Sequence, residues 1–182
     1  MLGVPVFLTG FMGVGKSKIG GILARRLGRA FLDTDQMVEA RAGKPVAAIF
    51  AEEGEAHFRG LEHAAVVEAA GRGDVVVSLG GGAIARDRNW EVIRRAGVLV
   101  CIDADVDTIL TRVSRREDRP LLAGLDPQAR RARIEALLAQ RAVFYARADV
   151  RVESTESRPP EATAEILLAR LEEWSARHQR GA

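Results

Sequence analysis

Short, continuous apolar runs alternate along the chain with stretches whose apolar residues recur every three or four positions. The runs cover residues 4–9, 30–32, 75–79, 98–102 and, more weakly, 150–152. Continuity rather than alternation predicts buried strands of a parallel sheet. Between them, Ile19, Ile22, Leu23 and Leu27 share one face of a first predicted helix. Ile109, Leu110 and Val113 mark a later helix, and Leu167, Leu171 and Trp174 mark the last. Strand–helix alternation of this kind predicts an α/β fold with a parallel sheet covered on both faces.

Two segments break the alternation. Residues 34–70 are too long for a simple crossover and are interrupted by Gly43, Pro45, Gly54 and Gly60. Residues 114–127, SRREDRPLLAGLDP, are polar, basic and turn-rich. Ligands of open α/β sheets sit beyond the carboxyl ends of the strands. Insertions there are expected to form a small substrate-holding subdomain, about 34–62, and a mobile lid, about 114–127. Both belong to a single domain spanning residues 1–182, since no linker, repeat or low-complexity segment divides the chain.

Composition narrows the function classes. With 182 residues, 47% hydrophobic and 29% charged, the chain can bury one real core and is not a disordered polymer. No stretch approaches 18 uninterrupted apolar residues, so no membrane span is expected. The first ten residues lack a basic leader region, which predicts no signal peptide and a cytoplasmic location. A single cysteine, Cys101, excludes an internal disulfide framework and a cysteine-cluster metal site; within an apolar strand it reads as a small core residue. The pI of about 9.1 hides a net charge of only +2. Basic residues, all arginine except Lys16, Lys18 and Lys44, are interleaved with acids, and aromatics make up only 5%. A nucleic-acid partner is therefore not expected.

The chemistry starts where the first strand runs into Gly10-Phe11-Met12-Gly13-Val14-Gly15-Lys16-Ser17, followed by the first helix. This is the phosphate-binding loop G-x-x-x-x-G-K-[ST] in its strand–loop–helix context. Glycines let successive N–H groups face phosphate oxygens, and the helix dipole favours an anion. Lys16 suits the β- and γ-phosphates, and Ser17 offers a hydroxyl to Mg²⁺. A glycine-rich turn would match the bare pattern, but the flanking strand and helix favour a nucleoside triphosphate with magnesium.

Further motifs each allow two readings. Asp33 and Asp35, at the tip of the second strand, either divide a metal and an acceptor between them or cap the next helix through Asp35 or Thr34. In GEAHFRGLE (54–62), Arg59 and Glu62 are i, i+3 neighbours on a helix. They form either a held guanidinium or a solvated surface pair. Gly80, Gly81 and Gly82 either expose amides to a ligand or make a flexible loop. Arg141 falls on an apolar stripe with Ile134, Leu138 and Tyr145, where it either snorkels outward or meets an anion. His57, His63 and His178 form no plausible constellation, and Trp90 and Trp174 read as packing residues.

Taken in order, the phosphate loop, DTD, GEAHFRGLE, SLGGGA, RPLL at 119–122 and a late arginine before tyrosine resemble shikimate kinase. The resemblance runs from residue 4 to about 170. It implies a P-loop nucleoside-monophosphate-kinase-like three-layer sandwich: a five-stranded parallel sheet with a small substrate-binding subdomain and a lid. It also implies transfer of the ATP γ-phosphate to the 3-hydroxyl of shikimate, on the route to chorismate and the aromatic amino acids, by a monomer.

Carried over by position, the catalytic residues are Lys16, Asp35 and Arg119. ATP is implied at Gly13, Val14, Gly15, Lys16, Ser17, Lys18, Arg112 and Arg119, with Arg112 near the adenine. Shikimate is implied at Asp35, Arg59, Gly80, Gly81, Gly82 and Arg141, the two arginines pairing with its carboxylate. Mg²⁺ falls to Ser17 and, through water, Asp33. Family members often carry Thr where this chain has Lys18.

Overall fold

The computed structural model describes residues 3–114, 122 and 124–178. Five strands form one parallel sheet: β1 (Val6–Thr9), β2 (Ala30–Asp33), β3 (Val75–Ser78), β4 (Val98–Asp103) and β5 (Val150–Glu153), in the order β2-β3-β1-β4-β5. The predicted first strand begins two residues too early. Pro5 has no N–H for the ladder, so it contributes only its carbonyl, which accepts from Val98 at 3.0 Å. The central strands β1, β3 and β4 are buried as expected. The edge strands are not: Val150 and Val152 of β5 point inward while Arg151 and Glu153 face solvent, and β2 is half-exposed. An edge strand meets a helix on only part of its surface, so alternation returns there.

Helices cover both faces. The stripe of α1 (Lys16–Leu27) and the inner face of α8 (Pro160–His178) pack against Val6, Leu8, Val100 and Ile102. On the other side α4 (Gly54–Ala70), α5 (Asp87–Ala96) and α7 (Pro127–Tyr145) cover Phe7, Val77 and Leu99. Cys101 lies in that second layer, fully buried, and burial pushes its thiol pKa up. Segment 34–70 resolves into α2 (Thr34–Ala42), α3 (Val46–Glu52) and α4. Gly43 ends α2 in a left-handed conformation and Pro45 precedes α3, as punctuation should. Gly60 breaks nothing; it lies inside α4, where the packing of Phe58 and Val66 outweighs a propensity cost of about 1 kcal/mol. These three helices share a small hydrophobic cluster of their own, Val38, Ile49, Phe58 and Ala65.

Helix α6 (Val106–Ser114) precedes the segment expected to be a lid, most of which lies outside the described residues; α7 then starts under an Asp126 cap. Among the described residues, no helix is long and apolar enough to cross a membrane.

Candidate active site

Three strand ends, β1, β2 and β3, open onto one cleft of about 520 Å³. At its floor the phosphate loop turns through Gly13 and Gly15, whose φ angles of 81° and 98° exclude most side chains. Lys16 begins α1 and donates to the carbonyls of Gly10 and Phe11 at 2.9 and 3.0 Å, arching over the loop. Val14 turns its side chain into the core and leaves its main chain to the loop. Lys18 lines the cleft beside Ser17. No acidic residue occupies the first turn of α1, so the helix end and both lysines concentrate positive charge there.

Ser17 and Asp33 meet across the cleft, Oγ donating to Oδ2 at 2.9 Å. A hydroxyl and a carboxylate oxygen side by side, next to a phosphate loop, are hard donors that suit Mg²⁺. Asp33 is also the residue that caps α2, accepting from the Asp35 amide at 3.1 Å. The cap therefore belongs to neither Asp35 nor Thr34. The strand ends at Asp33, so helical geometry, not strand alternation, sends Asp35 elsewhere.

Asp35 faces the loop of Gly80, Gly81 and Gly82. A Cβ on Gly80 would lie 2.5 Å from Asp35 Oδ1 and 3.3 Å from Glu62 Oε1. One on Gly81 would lie 3.2 Å from an Arg141 nitrogen, and one on Gly82 3.0 Å from an Arg59 nitrogen. The glycines thus form a wall on which the three expected acceptor side chains converge. Burial pushes the Asp35 pKa up to about 6, helped by the charges of Asp33, Glu62 and Glu39 and opposed by Lys16.

The two arginines are held differently. Arg59 donates to both oxygens of Glu62 at 2.9 and 3.1 Å and to Glu55 at 3.1 Å, with its guanidinium 5.1 Å from the Phe58 ring. Glu62 is only 1% exposed, so this is no solvated surface pair. Burial raises its carboxyl pKa, and Arg59 pulls it back. Arg141 instead stacks over Phe11, 5.5 Å from the ring centroid. Arg112 donates to the carbonyls of Gly13 and Val14, to Ser154 Oγ and the Thr155 carbonyl, and pairs with Glu156 at 2.6 Å.

The cleft itself holds Gly13, Gly15, Lys16, Ser17, Lys18, Asp33, Asp35, Gly81 and Arg112 among the expected residues. Gly80, Gly82, Arg59 and Arg141 stand along the glycine wall at its margin. Arg119 lies outside the described residues. Several neighbours were not foreseen. Glu55 is one turn before Arg59 and could have been found by i, i+4 spacing. Phe11, Thr34 and Glu156 carry no such signal, because each acts on a residue distant in sequence.

A profile of the shikimate kinase family matches residues 12–172. The chain belongs to the shikimate kinase family. The shikimate kinase of Gloeobacter violaceus is 46% identical over 178 residues, covering 96% of this chain and 98% of that protein. The solved shikimate kinase from Acinetobacter baumannii, in complex with shikimate, is 33% identical with a TM-score of 0.84, covering 91% of this chain and 90% of that one. A gluconokinase from Sinorhizobium meliloti, 19% identical with a TM-score of 0.67, covers 100% of this chain and 98% of that one and shares the fold alone. The architecture is that of the P-loop nucleoside-monophosphate-kinase-like proteins, and membership of the shikimate kinase family makes this chain a small-molecule kinase.

Proposed function

We propose that this chain transfers the γ-phosphoryl group of ATP to the 3-hydroxyl of shikimate, giving shikimate 3-phosphate and ADP on the route to chorismate and the aromatic amino acids. The observation that carries this reading is the convergence of Asp35, Arg59 and Arg141 on one glycine wall at the margin of the phosphate-loop cleft. One carboxylate for a hydroxyl and two guanidinium groups for a carboxylate are the acceptor's own functional groups in complement.

In this mechanism Arg59 and Arg141 bind the shikimate carboxylate and Asp35 orients the 3-hydroxyl. The acceptor oxygen forms its bond to the γ-phosphorus as the bond to the β–γ bridging oxygen breaks, and the hydroxyl proton passes to Asp35. A carboxyl group held near pH 6 is well matched to take that proton at neutral pH. Lys16, the loop amides and, from the segment outside the described residues, Arg119 offset charge on the transferring group. Arg119→Ala is expected to lower kcat more than it weakens ATP binding, read by steady-state kinetics beside nucleotide calorimetry. Ser17 and Asp33, the latter through water, would hold Mg²⁺. When bound, that ion would offset negative charge on the ATP phosphates. Gly13, Gly15, Val14 and Lys18 cradle the polyphosphate, with Arg112 toward the base. Helices α2 and α3 with the start of α4, about 34–62, act as the acceptor subdomain, supported by their separate hydrophobic cluster. Residues of about 114–127 act as the lid. The enzyme works as a cytoplasmic monomer with no nucleic-acid or membrane partner.

Shikimate-dependent ADP release with MgATP in a coupled assay, with gluconate and nucleoside monophosphates as controls, tests the reading. Turnover confined to shikimate supports it. Nucleotide binding without shikimate turnover overturns the acceptor assignment.

A further inference from the structure

The three consecutive side chains at the β2–α2 junction go to three different places. Asp33 turns to Ser17 on the nucleotide side and Asp35 to the glycine wall. Thr34, 0% exposed, spans a separation of 46 residues and accepts the Gly80 amide on its Oγ1 at 2.8 Å. That amide is the first beyond the sheet. The Leu79 N–H still bonds the Leu8 carbonyl at 2.9 Å, whereas Gly80 depends on the threonine hydroxyl. The next turn then closes from Ala83 N–H back to the Gly80 carbonyl at 3.0 Å. Gly80 is also where the wall presses most closely on Asp35. One buried hydroxyl thus takes over from the β ladder at the point where the wall meets Asp35, and without it a buried amide would be left unpaired.

We propose that Thr34 is a positioning residue for the acceptor half of the site, its hydroxyl fixing the glycine wall in register with Asp35 and the two arginines. The proposal rests on the acceptor reading given above. It separates the two halves of the site: loss of the hydroxyl shifts the wall and leaves the phosphate loop, which Thr34 does not hold, unaltered.

The test compares Thr34→Val, which keeps the shape and removes the acceptor oxygen, with Thr34→Ser, which restores it. Thr34→Val is expected to raise the KM for shikimate about tenfold, with the KM for MgATP and the calorimetric affinity for MgADP unchanged. Hydrogen exchange at the Gly80 amide is expected to accelerate by a similar factor. Thr34→Ser is expected to return both readings close to wild type, and Thr34→Ala substitutes for the valine variant if that one does not fold. Wild-type shikimate KM together with wild-type Gly80 protection in Thr34→Val would overturn the proposal. So would equal losses for both substrates, with a lowered Tm and no rescue by serine, since that pattern marks a merely structural residue. Absence of shikimate turnover in the wild-type chain would defeat the acceptor reading alone; the Gly80 exchange comparison would still decide whether Thr34 holds the wall.

Discussion

The two ends of the cleft are built by opposite means. The phosphate loop is one contiguous segment, residues 10–18, built on backbone and the start of a helix, with Lys16 and Ser17 at that start. The proposed acceptor end draws on four separated segments, around Asp35, Arg59, Gly80 and Arg141, and sets three side chains against one glycine backbone wall. A contiguous backbone device needs only local geometry, so its requirements appear as a fixed residue pattern. A dispersed side-chain device needs supports that hold each group in place, and here those supports differ: carboxylates and a ring for Arg59, the Phe11 ring for Arg141, the glycine wall for Asp35.

Substitutions that damage one end and spare the other are the sharpest challenge to this contrast. The largest effect is expected for Asp35→Asn, a loss of roughly 10²–10⁴ in kcat with MgATP affinity retained; near-normal turnover would remove Asp35 from the proton transfer. Next, Arg141→Ala is expected to raise the KM for shikimate about 10- to 100-fold and leave the Tm nearly unchanged. Arg59→Ala is expected to do the same to KM and also to lower the Tm by roughly 5–10 °C, because Glu62 is left buried without its partner. Equal thermal effects in calorimetric melts would show that the two arginines are supported alike.

A smaller effect follows from the raised pKa of Asp35. Between about pH 4 and 6 the folded chain binds a proton at Asp35 that the unfolded chain does not, so this group's contribution to stability falls as pH rises through that window. Asp35→Asn is therefore expected to melt above wild type at pH 8, with the difference vanishing toward pH 4. In the wild type, turnover is expected to decline below about pH 6 as the base becomes protonated. The smallest effect is expected at Lys18. Lys18→Thr should raise the KM for MgATP a few-fold, more at low salt than at high, and leave the KM for shikimate as it was.

The same contrast explains what could be read from the chain. All five strands and the phosphate loop were legible, because each depends on residues adjacent in sequence. So was the Arg59–Glu62 pair, once helix spacing was assumed for 54–62. The cap was expected at Asp35 or Thr34, but β2 ends at Asp33 and the helix begins at Thr34, so the capping position falls on Asp33. The contacts of Thr34, Phe11 and Glu156 were invisible, since Thr34 meets Gly80, Phe11 meets Arg141 and Glu156 meets Arg112 only after the sheet has assembled. The exposed faces of β2 and β5 were missed for a related reason: edge position is a property of strand order, which no single run of residues encodes.

The grip of Arg112 has a consequence for biosynthesis. It ties the carbonyls of Gly13 and Val14 to Ser154, Thr155 and Glu156, so a segment synthesised early waits for one synthesised much later. A nascent chain that has not yet reached Ser154 carries its phosphate loop without the segment that anchors Arg112.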